Sequence, residues 1–200
     1  MPSAAISKYF DATENRNIRD DLIFAVDKVT GPKVAVDCGC GAGADIQYLA
    51  SNGFAVYGFD VEEEAILRCK ERFKDIQSVK LSRSSFSQYE FPNVSLVVAD
   101  ASFFFCPKSE FPSVWRKVYD CLPQGGIFSG SFLGPDDTMA SSKYNPDDFW
   151  PEVAVFGEDE VKKLFAKYQV LRFNEHRTSG AAPGGDLHDW HIYSVVAKKT

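Results

Sequence analysis

The stretch VAVDCGCGAGAD, residues 34–45, limits the possible folds more than any other part of the chain. A short apolar run ends in an acid, and glycine then stands at 39, 41 and 43. Glycines so spaced leave one side of a turn without Cβ atoms, so a ligand can approach the main chain and the N-terminus of the helix that follows. Helix-forming sequence follows at once, which makes the stretch the start of a strand-loop-helix unit.

The rest of the chain continues the alternation. Apolar residues at 18, 22, 23, 26 and 29 predict a leading helix, stopped by Thr-Gly-Pro. After the glycine loop, ADIQYLASNG reads as a helix closed by Gly53 and FAVYGFD as a second strand. EEEAILRCKERF then reads as a crossover helix with acids in its first turn and bases in its last, as the helix dipole favours. SVKLSRS and VSLVVADA are the third and fourth strands, the latter apolar throughout, as suits a strand covered on both faces. EFPSVWRKVYDCL, with Pro112 in its first turn, is a helix, IFSGSFLG a fifth strand and EDEVKKLFAKY a last helix. QVLRFNEHR and DWHIYSVVAKK close the chain with no helix between them, so they are expected to pair antiparallel.

Composition narrows the classes of function. A chain of 200 residues is expected to form one domain over residues 1–200, with enough apolar sequence for a core. Twenty-eight acids against 22 Lys and Arg give a formal charge of -6, the wrong sign for gripping nucleic-acid phosphates. Five cysteines, odd in number and scattered, fit a reducing compartment, and a cytoplasmic location is expected. No signal peptide or apolar run of membrane-spanning length is seen, so no membrane partner is expected. Cys38 and Cys40 lack a second close pair, and no metal site is expected.

The ligand of the loop has two readings. GCGAGA satisfies the loose dinucleotide pattern G-x-G-x-x-G/A, and Asp60 lies near where a ribose-binding acid is expected. Asp37, however, would repel a pyrophosphate and suit a ligand with an ammonium group. The chain also has no Tyr-x-x-x-Lys pair and no second domain to build a dehydrogenase's substrate site. A single-domain NAD(P)-dependent oxidoreductase and a non-catalytic cofactor-binding module remain the alternatives.

VAVDCGCGAG, VYGFD, VSLVVAD, LPQGGIFSGSF and the closing pair of strands resemble, in order and spacing, the class I S-adenosylmethionine-dependent methyltransferases across nearly the whole chain. FFFCPKSEFPSVWRKVYDCLPQGGIFSGSFLGPDD and WHIYSVVAKK are similar to bacterial small-molecule methyltransferases of the tellurite-resistance type. The resemblance implies a three-layer Rossmann-like α/β fold with strand order 3-2-1-4-5-7-6 and strand 7 antiparallel. It implies S-adenosyl-L-methionine as cofactor and methyl transfer to a small-molecule acceptor by a monomer or homodimer. It also assigns roles. Gly39, Cys40, Gly41 and Gly43 would approach the methionine part and ribose, Asp37 would hold the ammonium, and Asp60, followed by Val61, would take the ribose hydroxyls. Ser85 and Phe86 align with the adenine position, where the family often has Asp and an apolar residue.

On the acceptor side, Asp100 ends the fourth strand and is a candidate cofactor contact and catalytic group. Phe103, Phe104 and Phe105 follow it, where methyltransferases of nucleobase amino groups carry Asn/Asp-Pro-Pro-aromatic. Core packing is expected for at least two of these rings. His188 and His191, three apart on a strand, point to opposite faces and cannot readily chelate one metal. His191 is the second candidate catalytic residue, as a general base or as a group that orients the acceptor. The loop from Pro135 to Glu152, carrying Tyr144, Phe149 and Trp150, is long enough to serve as a lid.

Overall fold

The computed structural model describes residues 4–141, 152–182 and 185–200. Helices α1 (Ala4–Thr13) and α2 (Asp20–Lys28) precede β1 (Val34–Cys38), α3 (Ala44–Ser51), β2 (Ala55–Asp60), α4 (Glu63–Arg72), β3 (Val79–Arg83) and β4 (Leu96–Ala99). They are followed by α5 (Phe111–Cys121), β5 (Ile127–Leu133), α6 (Glu158–Leu164), β6 (Tyr168–Ala181) and β7 (Leu187–Lys199).

The seven strands form one sheet in the order β3-β2-β1-β4-β5-β7-β6. β1 to β5 pair in parallel, whereas β7 runs antiparallel to both β5 and β6. The expected order and the expected antiparallel strand are both present. No helix joins β3 to β4; turns between Ser84 and Asn93 make that crossing.

Each parallel strand alternates its side chains between two cores. Ala35, Leu96, Val98 and Ile127 pack with Leu22 and Ala25 of α2, Ile46 and Leu49 of α3 and Ile66 of α4. Val36, Val97, Ala99 and Phe128 pack on the other face with Val114 and Val118 of α5 and Val161 of α6. Burial on both faces explains why these strands read as continuous apolar runs. A third, smaller cluster joins Ile6 and Phe10 of α1 to Ala42 of the glycine loop and Ala65 of α4.

The sequence pattern did not announce α1. Its apolar residues at positions 6, 9 and 10 have helical spacing, but the helix is ten residues long, and tertiary packing supplies most of the stability of a helix so short. Its place, against the glycine loop, brings the N-terminal segment to the carboxyl edge of the parallel strands.

Candidate functional site

The strand order turns back between β1 and β4, and in sheets of this kind ligands bind outside the carboxyl ends at such a point. Asp37, in β1, is registered between Gly58 of β2 and Val98 of β4, at the centre of that edge. Asp60 ends β2, and Asp100 follows β4. The glycine loop sits between them. Gly39, Gly41 and Gly43 have φ of 72°, 49° and 85°, a region that disfavours L side chains. At Gly43 a Cβ would also lie 2.7 Å from the Phe73 ring and 2.9 Å from the Cys69 sulfur. This loop can be built with little but glycine.

Cys40 lies within the loop, with its thiol turned to the interior and hydrogen-bonded to Cys69, whose own Sγ donates to the Gly41 carbonyl at 3.3 Å. The bond to Cys69, together with burial, pushes the Cys40 thiol well above its ordinary range. It is a packing group in a place where only main chain faces outward.

Asp37 is 3% exposed and one of its oxygens, Oδ2, is buried without a hydrogen-bond partner. Burial, then the nearby charge of Asp45, push its carboxyl well above the usual range, against the pull of Arg16. Asp45, in the first turn of α3, is similarly raised by burial and keeps Oδ1 unpartnered. Buried acids left in this condition are costly unless a cation completes them. Asp60 is placed differently. Its Oδ2 accepts from the Gly41 N–H and its Oδ1 from the Glu62 N–H, both at 2.9 Å. It thus ties the loop to β2 and braces the entry to α4, and each carboxylate oxygen still has lone-pair capacity. Val61 beside it is 43% exposed, an apolar side chain left at the rim.

Phe86 stands close to the loop, its ring 3.7 Å from where a Gly39 Cβ would be, and meets Phe59 and Phe103 edge-on. Ser85 braces its own turn: its Oγ lies 3.3 Å from Ser87 Oγ and accepts from the Gln88 N–H at 3.3 Å. Asp100 is held from β5. Ser131 Oγ accepts from the Ala101 N–H at 2.8 Å and donates to Asp100 Oδ1 at 3.1 Å. Ala101 takes φ 48°, the one positive φ outside glycine among the described residues, so this clasp holds a conformation an L residue rarely adopts.

Phe103, Phe104 and Phe105 form a short 3-10 turn in which the first two rings are buried, Phe103 among Phe86, Phe111, Trp115 and Phe128. The expected core fate holds for both.

His191 is also at this edge, in β7 beside the end of β5. Its carbonyl accepts from the Gly134 N–H, and its ring lies so close that a Cβ on Gly134 would meet it at 2.5 Å. The ring is 1% exposed and both nitrogens are engaged: Nδ1 accepts from the Asp136 N–H at 3.1 Å, and Nε2 lies 2.9 Å from Glu175 Oε1. A lone pair on Nδ1 puts the proton on Nε2, which donates to Glu175. His188 meets Asp137 Oδ1 at 2.9 Å.

Sequence reasoning missed several groups. Asp137, 1% exposed, accepts from the N–H groups of Met139 and His191 and binds His188, pinning the start of the long loop to β7. Tyr144, Phe149 and Trp150 lie outside the described residues, and with them the lid. Arg16 and Arg19 reach the crevice from the segment after α1. Arg16 Nη2 is 2.7 Å from Asp45 Oδ2 and 3.5 Å from Asp100 Oδ2, and Arg19 Nε also pairs with Asp100. The only local signal for these pairs was charge; their partners are distant in the chain. Among the described residues no cluster of three or more metal-binding side chains occurs, and no helix is long and apolar enough to cross a membrane.

Comparison with known proteins agrees with this geometry. Residues 35–126 match the family model described as a methyltransferase domain. TehB of Haemophilus influenzae, named a probable S-adenosyl-L-methionine-dependent methyltransferase, is 23% identical over 185 residues, covering 90% of this chain and 59% of its own. The crystal structure of Haemophilus influenzae TehB superposes with a TM-score of 0.76 at 20% identity, over 98% of this chain and 67% of that one. A Burkholderia thailandensis 1,6-didemethyltoxoflavin-N1-methyltransferase, solved with 1,6-didemethyltoxoflavin and S-adenosylhomocysteine bound, superposes with a TM-score of 0.69 at 17% identity, over 98% and 85%. Residues 35–126 thus resemble a methyltransferase domain, and the chain as a whole is similar to S-adenosylmethionine-dependent methyltransferases of class I. Within that class it resembles the TehB type, and it spans about three fifths of the length of the curated TehB it matches.

Proposed function

We propose that this chain, as one domain over residues 1–200, transfers the methyl group of S-adenosyl-L-methionine to a small-molecule acceptor. The observation that carries the reading is the buried, unpartnered Oδ2 of Asp37 beside a glycine loop with three positive φ angles. A raised, incompletely paired acid at that point suits an ammonium group and opposes a pyrophosphate, which argues against a nicotinamide dinucleotide.

The residues fit the cofactor as a set. Asp37 holds the ammonium; Gly39, Cys40, Gly41 and Gly43 present main chain to the methionine part and ribose. Asp60, already fixed by two backbone N–H groups, accepts from the ribose hydroxyls. Val61 and Phe86 cover the adenine with apolar surface, and Ser85 stands at its edge. When bound, the cofactor supplies a methyl carbon on a positively charged sulfur, a good leaving group. The protein's work is then alignment and exclusion of water, which lowers the barrier without a strong acid or base.

Asp100, clasped by Ser131 and facing Arg16 and Arg19, contacts the cofactor and faces the acceptor as the catalytic carboxylate. Its negative charge favours the cationic sulfur. His191 takes the orienting role: with its proton committed to Glu175 and its lone pair to Asp136, it fixes the rim where the acceptor enters. The toxoflavin enzyme's bound ligand supports a small-molecule acceptor, and the net charge of -6 disfavours nucleic acid.

Methyl-labelled cofactor tests the reading. Incubation with a panel of small thiols, phenols, amines and reduced chalcogen species should label at least one class, while bulk DNA and RNA give background counts. Robust incorporation into nucleic acid alone would overturn the assignment.

A further inference from the structure

The crevice beside Asp100 continues onto the closing pair of strands. Ser131, whose Oγ donates to Asp100 Oδ1 at 3.1 Å, is registered opposite Ser194 of β7, and Leu133 opposite Ile192. Residues two apart on a strand share a face, so Ser194, Ile192, Trp190 and His188 form one row that starts at the Asp100 clasp and runs past the end of β5. Ile192 and Trp190 are half-buried, each with part of its side chain open.

We propose that the methyl acceptor is a planar, fused-ring aromatic or heteroaromatic molecule, and that Trp190, backed by His188, is the platform on which it lies. The inference rests on the methyl-transfer reading above and names the acceptor class of that site. Ile192 stands about 7 Å along β7 from Ser194, and Trp190 about 7 Å further. A fused ring system laid on Ile192 and Trp190 spans this row and brings its near edge beside Asp100, where the reacting heteroatom is needed. A small inorganic ion touches only one end of the row, and an open chain loses rotational freedom in lying along it.

The platform is held in place before any ligand arrives. Trp190 is registered opposite Thr178 of β6, and its ring lies across the neighbouring Gly180, with Cζ3 3.4 Å and Cη2 3.9 Å from where a Gly180 Cβ would stand. A side chain longer than that of alanine at 180 would contend with the indole for the same space. The His188 ring is tilted 32° to the indole with centroids 4.7 Å apart, and its Nε2 lies 2.9 Å from Oδ1 of the buried Asp137. Asp137 also accepts from the His191 N–H at 2.9 Å, so the ring that backs the indole is tied to β7 itself. An indole fixed in this way offers a π-face to a second ring at little further cost in side-chain freedom, and offset stacking adds to the apolar area buried.

Methyl transfer from labelled cofactor by the full chain tests the proposal, with 2-naphthol, 6-hydroxyquinoline and 2-mercaptobenzimidazole set against 2-mercaptoethanol and sodium selenide. At least one ring compound should be methylated with a kcat/KM about tenfold or more above both non-ring acceptors, a comparison that needs no variant to fold. Trp190→Ala should raise KM for that ring compound about tenfold with kcat less changed, and leave S-adenosylhomocysteine affinity, read by calorimetry, within about twofold. Trp190→Phe should recover most of the loss, which a general weakening of the fold would not produce. Preference for either non-ring acceptor, no methylation of any ring compound, or an unchanged KM in Trp190→Ala would overturn the proposal, while S-adenosylhomocysteine binding leaves the cofactor reading standing. Wild-type protein that binds no S-adenosylhomocysteine would remove both.

Discussion

Asp37 carries a cost of burial that Arg16 offsets only in part. Burial raises its carboxyl, so folding favours the protonated form, and the unliganded protein loses stability as pH rises from the ordinary carboxylate value through the raised one. Asp37→Asn removes the charge while keeping the shape. It should raise the melting temperature of the unliganded protein at pH 7.5 by several degrees, at the usual 2–4 °C or so per kcal/mol for a chain this long, and the gain should shrink toward pH 4. The same variant should bind S-adenosylhomocysteine more weakly. A melting temperature that falls at pH 7.5 would show that the carboxylate is already satisfied without ligand. Asp37, Asp60 and the three glycines were legible because a bare turn between a strand and a helix states its requirement locally. Asp45 stood in the same stretch but read as helix sequence, because its role depends on a guanidinium brought from Arg16. Ser131 gave no signal, since its contact with Asp100 and Ala101 exists only once β4 and β5 are paired.

At the level of elements, the strands and crossover helices were readable from period and punctuation, and their bounds differ from the sequence reading by only a residue or two in most cases. The start of the long loop behaves differently. Its stem is held by one buried side chain, Asp137, with three partners across to β7 and the neighbouring turn. Asp137→Ala would leave the buried His191 N–H without its partner and loosen the part-buried Met139 N–H and His188 ring, at a cost of about 2–3 kcal/mol. Denaturant unfolding measures that loss. A change below about 1 kcal/mol would mean that solvent replaces Asp137 and that the stem is not fixed by it. No periodicity marks such a residue: an Asp in PDD reads as turn sequence, and its burial follows from how closely β7 passes the end of β5. The helix α1 was hidden for a related reason, because its contribution lies in contacts with the glycine loop.

The whole molecule places Asp37 of β1, Asp60 of β2, Asp100 just past β4 and the loop between them on one edge of one sheet, where the strand order turns back. That convergence follows from topology, which the alternation of elements and the closing antiparallel pair made legible. The charge brought in by Arg16 and Arg19 was not, because long-range ion pairs leave no pattern in a single sequence. We propose that this edge is shaped for a nucleoside with an ammonium-bearing amino-acid end and against a dinucleotide. Titration calorimetry of the full unliganded chain with S-adenosylhomocysteine and, separately, with NAD at equal concentration tests it most directly. S-adenosylhomocysteine should give a saturable heat in the micromolar range, roughly 8 kcal/mol of binding free energy, and NAD none of comparable strength. NAD binding equal to or tighter than S-adenosylhomocysteine would contradict it.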